Sequence, residues 1–165
     1  VVEMVSQNIV KACTDGSDIE ARSQMLLASH IAGVGFSHTG LGLVHGIGHA
    51  LGGQFNIPHG VALCLVLEEV LKFNLPHRLP RFARLAFALG VGKTEQSDAA
   101  NADAAIARIA ELVEQVGLKG KLADFGITSE HLASLANDAV EDAVTNNNPV
   151  APTREQVIGI LEKTL

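Results

Sequence analysis

The sequence predicts an all-α fold. Apolar residues recur at intervals of three and four along almost the whole chain, which is the period of a helix with one buried face. Runs in which apolar and polar residues alternate, as in half-buried strands, are nearly absent. With 165 residues and a 47% hydrophobic composition, the chain is long enough to bury one substantial core, so we expect a single helical domain over residues 1–165.

In the first half of the chain, capping signals and glycines divide the helical pattern into segments. Ser17-Asp18-Ile19-Glu20 has the form of a capping box, in which side chains at both ends satisfy backbone amides of the first turn. The glycine-rich segment at residues 39–52 is predicted to form a separate helix, and residues 53–58 are predicted to form a loop. The helices predicted here cover residues 2–13, 18–34, 39–52 and 59–74.

In the second half, proline and glycine set most boundaries. Pro76 and Pro80 bracket a helix start, Gly117 ends a long amphipathic helix, and Thr153 opens a second capping box with Gln156. Residues 119–126 are expected to be a connection, and the polar segment 145–149 is expected to be a loop without helix. The helices predicted here cover residues 80–90 and 98–116, one from Thr128 or Ser129 to 143, and one after Thr153.

Composition excludes several classes of protein. The net charge is −6, the twelve Lys and Arg are scattered, and there is neither Trp nor Tyr, so a nucleic-acid partner is not expected. No apolar run approaches the roughly 20 residues of a membrane span, and no signal sequence opens the chain. Cys13 and Cys64 provide no disulfide framework, and both are expected to be buried thiols. We therefore predict a cytoplasmic protein without a membrane partner.

Residues 42–60 contain three of the seven histidines and six glycines but no acidic residue. His45 and His49 are four positions apart, so on a helix they share one face, with Cβ atoms about 5–6 Å apart, and can reach one ligand or ion. Zinc metalloproteases use this spacing but need a Glu directly after the first His as general base, and Gly46 stands there instead. His59 follows Pro58 and precedes Gly60. The proline ring fixes the direction from which the histidine approaches a ligand, and the glycine lets neighbouring atoms come close to the backbone. The three histidines form a candidate metal site.

Nine glycines lie between positions 33 and 60. Each glycine inside a helix costs about 0.5–1 kcal/mol relative to alanine, so another term must offset this cost. Either a second helix packs at backbone distance, or a bulky cofactor lies against this face. Gly40-Leu41-Gly42 lacks the third glycine and the strand of a phosphate-binding loop. The other histidines are expected to be partly exposed or hydrogen-bonded: His30, His38, His77 and His131.

The pattern F-S-H-T-G-L-G-L-V-H-G-I-G-H at 36–49, followed by P-H-G-V-A at 58–62, resembles the signature of the iron-containing, or group III, alcohol dehydrogenases. The resemblance continues through 67–74, through the G-L-x-x-x-L-x-D-x-G-I connection at 117–127, and into the loop 148–153. It implies the helical C-terminal domain of these enzymes and of dehydroquinate synthase-like proteins. It also implies that an N-terminal nucleotide-binding α/β domain of the same polypeptide is absent from residues 1–165.

The resemblance further implies the roles of individual residues. In this family an Asp and a His on one helix hold a divalent metal together with two histidines that match His45 and His59. His49 matches the histidine near the nicotinamide and the substrate, where it either relays a proton or shapes the pocket, and Phe36 matches a residue beside the nicotinamide. The D-x-x-x-H element that supplies the other two ligands does not occur in the chain, so we expect the carboxylate to lie upstream of residue 1.

The reaction that the resemblance implies is hydride transfer between an alcohol and NAD or NADP. Imidazole and carboxylate ligands suit Fe(II), Zn(II) and Mn(II) about equally, so iron follows from the family and not from ligand softness. The implied partners are a small alcohol or aldehyde, the missing N-terminal domain and, in a homodimer, a second copy. With two of its metal ligands absent, the 165-residue chain is expected to be inactive alone.

The sequence departs from the family pattern at several places and leaves alternatives open. His38 stands where Asn is usual, Glu68-Glu69 replaces Pro-His, and Val144 and Val150 stand where Cys and Arg often occur. These departures leave the substrate undecided. A relative of glycerol dehydrogenase or of maleylacetate reductase fits the same domain, and a non-catalytic helical metal-binding module is the alternative of a different class.

Overall fold

In the computed structural model, which describes all 165 residues, the chain folds into seven α-helices without any β-strand. The predicted all-α class is confirmed. No helix combines the length and apolar character that crossing a membrane requires. The helices are α1 (Val2–Thr14), α2 (Ile19–Thr39), α3 (Leu43–Phe55), α4 (His59–Ala88), α5 (Asp98–Gln115), α6 (Leu132–Glu141) and α7 (Arg154–Thr164). Three 3₁₀ turns cover Leu122–Phe125, Ser129–His131 and Ala143–Asn147.

The backbone divides into two compact units. The single domain expected over residues 1–165 stays a prediction. One unit consists of Val1–Thr39 and Arg78–Gly117, and the other of Gly40–His77 and Leu118–Leu165. Helix α4 contributes to both, with a non-helical residue, Arg78 (φ −143°, ψ 29°), at the boundary. The break lies between Pro76 and Pro80. A proline has no amide hydrogen to donate and its ring crowds the preceding turn, so the helix is weakened there. Residues 75–79, which separate the two helices predicted from the sequence, are helical in the structure apart from Arg78.

The unit formed by Gly40–His77 and Leu118–Leu165 packs α3, α6 and α7 together with the first part of α4. In α3, Leu43, Ile47 and Leu51 are fully buried and recur every four residues, so one face of this helix is fixed in the core. Burying such a side chain contributes about 1.5–3 kcal/mol, which makes α3 a rigid support for the side chains on its other face. The other fully buried large side chains of this core are Val66, Val70, Leu122, Ile127, Leu135, Val157 and Leu161.

The unit formed by Val1–Thr39 and Arg78–Gly117 has fewer large buried side chains. Its cluster consists mainly of small residues and leucines, with α1 contributing partly buried side chains. Helix α1 has no buried residue, and α2 buries only Ala21 and Ala28. Cys13 lies on α1 and is exposed, so the prediction that both thiols are buried is wrong for Cys13, while Cys64 is half-buried.

The predicted boundaries around α2 and α3 are shifted in the structure. Asp18, rather than Ser17, accepts the hydrogen bond that caps α2, from the amide of Ala21 at 2.9 Å. Helix α2 continues to Thr39 and stops at Gly40, whose φ of +74° is left-handed and therefore favours glycine. The glycine-rich helix accordingly begins at Leu43 instead of residue 39.

The C-terminal third is partly as predicted. The predicted helix ending at residue 143 is a 3₁₀ turn followed by α6, which ends at Glu141 because Asp142 is extended (φ −64°, ψ 125°). The segment 145–149 is not free of helix, since a 3₁₀ turn covers Ala143–Asn147 and is capped by Asp142. The capping box at the start of α7 is confirmed: Thr153 Oγ1 accepts from the Gln156 amide, and Gln156 Oε1 accepts from the Thr153 amide.

Replacing Thr153 by alanine should destabilise the protein by about 1 kcal/mol, because one amide of the first turn of α7 loses its acceptor. Urea denaturation followed by circular dichroism measures this as a lower midpoint with an unchanged slope. Thr153→Ser keeps the hydroxyl and should stay close to wild type. Equal midpoints for the alanine and serine variants would contradict a capping role.

Candidate functional site

The structure brings the three histidines of residues 42–60 together. His45 and His49 project from successive turns of α3, and His59 is the first residue of α4. The chain reverses between the two helices at Asn56, which adopts a left-handed conformation (φ 54°, ψ 29°). The ring centroids are 6.0 Å apart for His45 and His49, 5.4 Å for His45 and His59, and 5.6 Å for His49 and His59.

The surroundings of His45 favour its neutral imidazole. His45 is half-buried, whereas His49 and His59 are exposed. Burial and then the neighbouring His59 and His49 lower the pKa of His45 below its ordinary value, because a protonated ring would lose hydration and face other positive rings. A neutral ring keeps the lone pair that a metal ion or a proton needs.

The histidine cluster is not a complete metal site. No group of three His, Cys, Asp or Glu side chains in the chain is arranged to hold a metal ion. A zinc site would need a nitrogen of each ring to lie about 2.0–2.1 Å from one ion, and centroid separations of 5.4–6.0 Å do not by themselves provide that convergence. The three rings are therefore close together without forming a metal site within this chain.

His49 is fixed by a carboxylate from a distant part of the chain. Its Nδ1 lies 2.7 Å from Asp142 Oδ2. The pKa of Asp142 is lowered, chiefly by the hydrogen bond from the Val144 amide and further by the bond from His49, while burial opposes both. An ionised carboxylate can only accept hydrogen bonds, so Nδ1 of His49 is the donor.

A close approach between α3 and the end of α6 places His49 beside Asp142. A Cβ at Gly46, one turn before His49, would overlap the Thr145 hydroxyl and lie 2.9 Å from the Ala139 carbonyl oxygen. Thr145 is buried, and its hydroxyl donates to that same carbonyl at 2.7 Å. Of the two explanations for the glycines, helix packing at backbone distance is therefore correct for Gly46.

The other glycines differ among themselves. A Cβ at Gly48 would meet only the end of the Leu63 side chain, at 2.5 Å, and a flexible leucine can move away. Nothing lies within 4 Å of a Cβ placed at four of the remaining positions, so packing does not explain them: Gly33, Gly35, Gly53 and Gly60.

The start of α3 is held by a pair of asparagines. Asn148 Oδ1 accepts from the amide of Leu43 at 3.2 Å, which satisfies one of the free amides of the first turn. The same side chain exchanges two hydrogen bonds with the buried Asn74, at 3.1 and 2.8 Å. These bonds join α3 to α4 and to the loop after the last 3₁₀ turn, next to His45.

An open cavity of about 530 Å³ adjoins His45 in the same unit. Its walls are mostly apolar, and two asparagines contribute to the lining. The lining residues are Leu41, Gly42, Leu43, Val44, His45, Gly60, Leu63, Cys64, Leu67, Asn74 and Asn148. Burial raises the pKa of the Cys64 thiol, so this side chain is a neutral part of the wall.

The remaining candidate residues lie elsewhere. Phe36 is on α2, in the unit formed by Val1–Thr39 and Arg78–Gly117, with 48% of its surface exposed. His38 Nδ1 is 2.8 Å from the carbonyl oxygen of Val34, and His131 Nδ1 accepts from the Thr128 amide at 3.0 Å. Both were expected to be hydrogen-bonded or partly exposed, and both are.

Three residues of the site were not predicted from the sequence: Asp142, Thr145 and Asn148. Each is an ordinary polar residue that lies more than 90 positions after α3 begins. The one local signal was the polar run at 145–149, which indicated that the chain leaves regular helix there. Nothing in the run indicated that it returns to α3.

The whole chain, residues 1–165, matches the family model described as Fe-containing alcohol dehydrogenase family, C-terminal. Over 159 residues it is 38% identical to the probable alcohol dehydrogenase EutG of Escherichia coli (strain K12), covering 96% of this chain and 39% of that protein. It is 35% identical over 164 residues to the NAD-dependent methanol dehydrogenase of Bacillus methanolicus, covering 99% of this chain and 43% of that protein.

Solved structures show the same similarity. The crystal structure of a 1,3-propanediol oxidoreductase matches with a TM-score of 0.95 and 31% identity, over 99% of this chain and 43% of that chain. The alcohol dehydrogenase from Oenococcus oeni matches with a TM-score of 0.95 and 30% identity, over the same shares. The chain thus spans about two fifths of the length of the proteins that it resembles.

A pair of glycine-to-alanine variants in α3 tests the packing that holds the site. Gly46→Ala should destabilise the protein by about 1–3 kcal/mol or more, because the added methyl group overlaps Thr145 and the Ala139 carbonyl. Gly53→Ala meets nothing within 4 Å and should stabilise the same helix by about 0.5–1 kcal/mol. Urea denaturation of both variants gives the comparison, and shifts of the same sign would contradict the close approach at Gly46.

Proposed function

Because this chain belongs to the Fe-containing alcohol dehydrogenase family, whose C-terminal part it matches along its entire length, we propose that it forms the metal-binding portion of an alcohol dehydrogenase. The family resemblance predicted from the sequence is thereby confirmed. The reaction that we propose for the whole polypeptide is hydride transfer between a small alcohol and NAD or NADP. Its strongest support in this chain is the clustering of His45, His49 and His59, with centroids within 6.0 Å of one another.

His45 and His59 are the metal ligands that we propose. They have the shortest centroid separation of the three pairs, 5.4 Å, and the lowered pKa of His45 keeps its lone pair available. These donors fit a divalent ion in part, because two imidazoles leave coordination positions for a carboxylate and a further histidine. We expect both from the part of the polypeptide that precedes this chain. Imidazole and carboxylate suit Fe(II), Zn(II) and Mn(II), and the family favours iron.

When bound, a divalent cation supplies positive charge that lowers the cost of removing the hydroxyl proton of an alcohol. The chain itself contributes His49, which lies beside the proposed ligands and has one ring nitrogen not committed to Asp142. We propose that this nitrogen takes part in proton transfer with the substrate. Phe36 remains our candidate for a contact with the nicotinamide ring.

The substrate class that we propose is a short alcohol. The cavity beside His45 has mostly apolar walls that suit a short hydrocarbon chain. Similar proteins are named for methanol and for 1,3-propanediol, and one of them is named as NAD-dependent. NAD is accordingly the nicotinamide cofactor that we test first. A homodimer is a proposal that rests on the family resemblance, and a cytoplasmic location is a proposal that rests on the composition of the sequence.

Substituting His59 in the complete polypeptide tests the ligand assignment. His59→Ala should lower bound metal and alcohol oxidation together, and by more than the ~10–100-fold that loss of an outer-shell partner costs. His49→Ala should lower turnover while leaving most of the metal bound, since we assign it to the substrate side. Metal content is measured by mass spectrometry of the purified protein, and turnover by NADH formation with methanol, ethanol and 1,3-propanediol.

His30→Ala is the matched control, because His30 is an exposed histidine on α2. It should leave both quantities unchanged. Equal metal content in wild type and His59→Ala would remove His59 from the ligand set. A wild-type polypeptide that binds metal but oxidises no alcohol with either nicotinamide cofactor would instead support the non-catalytic alternative.

A further inference from the structure

Asp142 connects two structural tasks through its two carboxylate oxygens. It stands immediately after α6, where its own amide donates to the Asp138 carbonyl at 3.0 Å. Oδ1 accepts from the Val144 amide at 2.9 Å and so caps the following 3₁₀ turn. Oδ2 accepts from His49 Nδ1 at 2.7 Å. The bond from the Val144 amide fixes the carboxylate on the neighbouring backbone, and the bond from His49 reaches a residue 93 positions away.

We propose that Asp142 is a positioning residue that holds His49 as the Nδ1–H tautomer, so that Nε2 is the nitrogen that exchanges a proton with the substrate. This inference rests on the proposed function for its substrate, whereas the tautomer itself is a property of this chain. A neutral imidazole carries one N–H, so donation from Nδ1 leaves the lone pair on Nε2. The partner of one ring nitrogen thus determines what the other can do.

Three features keep this arrangement in one orientation. The Val144 amide prevents the carboxylate from rotating away, because rotation would break the cap of the 3₁₀ turn. The contact of Gly46 with Ala139 and Thr145 keeps α3 close enough for the 2.7 Å bond to His49. Asp142 is only 24% exposed, compared with 41% for His49, so water competes mainly for the ring and less for the carboxylate.

The proton transfer balances with the proposed hydride transfer. The alcohol O–H bond breaks and an Nε2–H bond forms, while the electron pair stays on oxygen. As the carbonyl forms, the hydride leaves the carbon and reduces the oxidised nicotinamide. The imidazolium then lies against a negative carboxylate, to which Nδ1 continues to donate, so Asp142 stabilises the charge without taking up the proton. The exposed His49 ring can return its proton to water.

The substitution Asp142→Asn separates this role from capping. Asparagine caps helical turns about as well as aspartate, so the fold should be retained. If its side-chain oxygen keeps the Val144 amide, its NH₂ group faces His49 Nδ1 and can only donate. His49 must then change to the Nε2–H tautomer. Asp138→Asn is the matched control, because Asp138 is a carboxylate of the same helix that binds Gln54 at 2.7 Å instead of His49.

The first measurement is the ¹⁵N chemical shifts of His49 in the 165-residue chain at one fixed pH. Wild type and Asp138→Asn should show a protonated Nδ1, and Asp142→Asn a protonated Nε2. If Asp142→Asn does not fold, Asp142→Ser replaces it, because serine caps the turn but is too short to reach the ring; His49 should then populate both tautomers. Unchanged His49 shifts in a folded Asp142 variant would overturn the proposal.

The second measurement is alcohol oxidation by the complete polypeptide. Asp142→Asn should lower kcat by about 10²-fold or more, with metal content and KM close to wild type, because a positioned general base contributes roughly 10²–10⁴-fold. Unaltered kcat despite a changed tautomer would overturn the catalytic part of the inference. If the wild-type polypeptide oxidises no alcohol while the tautomer changes as expected, the proposed function fails and the positioning of His49 by Asp142 stands.

Discussion

The backbone contact between α3 and the end of α6 determines the geometry of the histidine cluster. Gly46 has no Cβ, and the space that a Cβ would occupy is filled by Thr145 and the Ala139 carbonyl. Because His49 follows Gly46 by three residues, it lies on the same face of α3 and meets Asp142. A larger residue at position 46 would push α3 outward and lengthen that bond. One of the four glycines of α3, a residue type that disfavours helix, is thus what allows the contact between His49 and Asp142.

Both ends of α3 are held by polar groups that are distant in sequence or unusual in conformation. At its start, Asn148 accepts from the Leu43 amide while pairing with Asn74, which fixes the turn that carries His45. At its end, the left-handed Asn56 reverses the chain so that α4 begins three residues later with His59. The three rings therefore depend on a rigid helix and a short reversal, and not on a mobile loop.

The sequence predicted the helices well because their period is a local property. It also predicted that His45 and His49 share a face, since four residues nearly complete one helical turn. The boundaries were less accurate at residues 39 and 143. At 39, α2 continues past Gly33 and Gly35 although nothing packs against these glycines, and it stops only at the left-handed Gly40. At 143, a cap formed by Asp142 ends the helix, and nothing in the local composition distinguishes this aspartate from Asp138.

The meeting of His49 with Asp142 could not be predicted from the sequence, because it depends on a contact between residues 93 positions apart. The same holds for Thr145 against Gly46 and for Asn148 against Leu43. The glycines did carry part of this information: they indicated that something approaches α3 closely. Which residues approach is a property of the tertiary packing. Among the glycines of residues 42–60, only Gly46 would bring an added Cβ within 3 Å of a backbone atom.

The positions of the acidic residues distinguish the role of Asp142 from that of an anionic metal ligand. No acidic residue lies between positions 42 and 60, and the carboxylate that does reach the cluster, Asp142, uses one oxygen for the Val144 amide and the other for His49. Asp142 is therefore paired with an imidazole and is poorly placed to compensate the charge of a metal cation. Neutral rings do not reduce the charge of a divalent ion, so on our proposal its affinity for His45 and His59 depends on an anionic ligand from the remainder of the polypeptide. Metal binding and assembly of the complete active site are then one coupled equilibrium, in which this chain contributes the imidazoles and the proton acceptor.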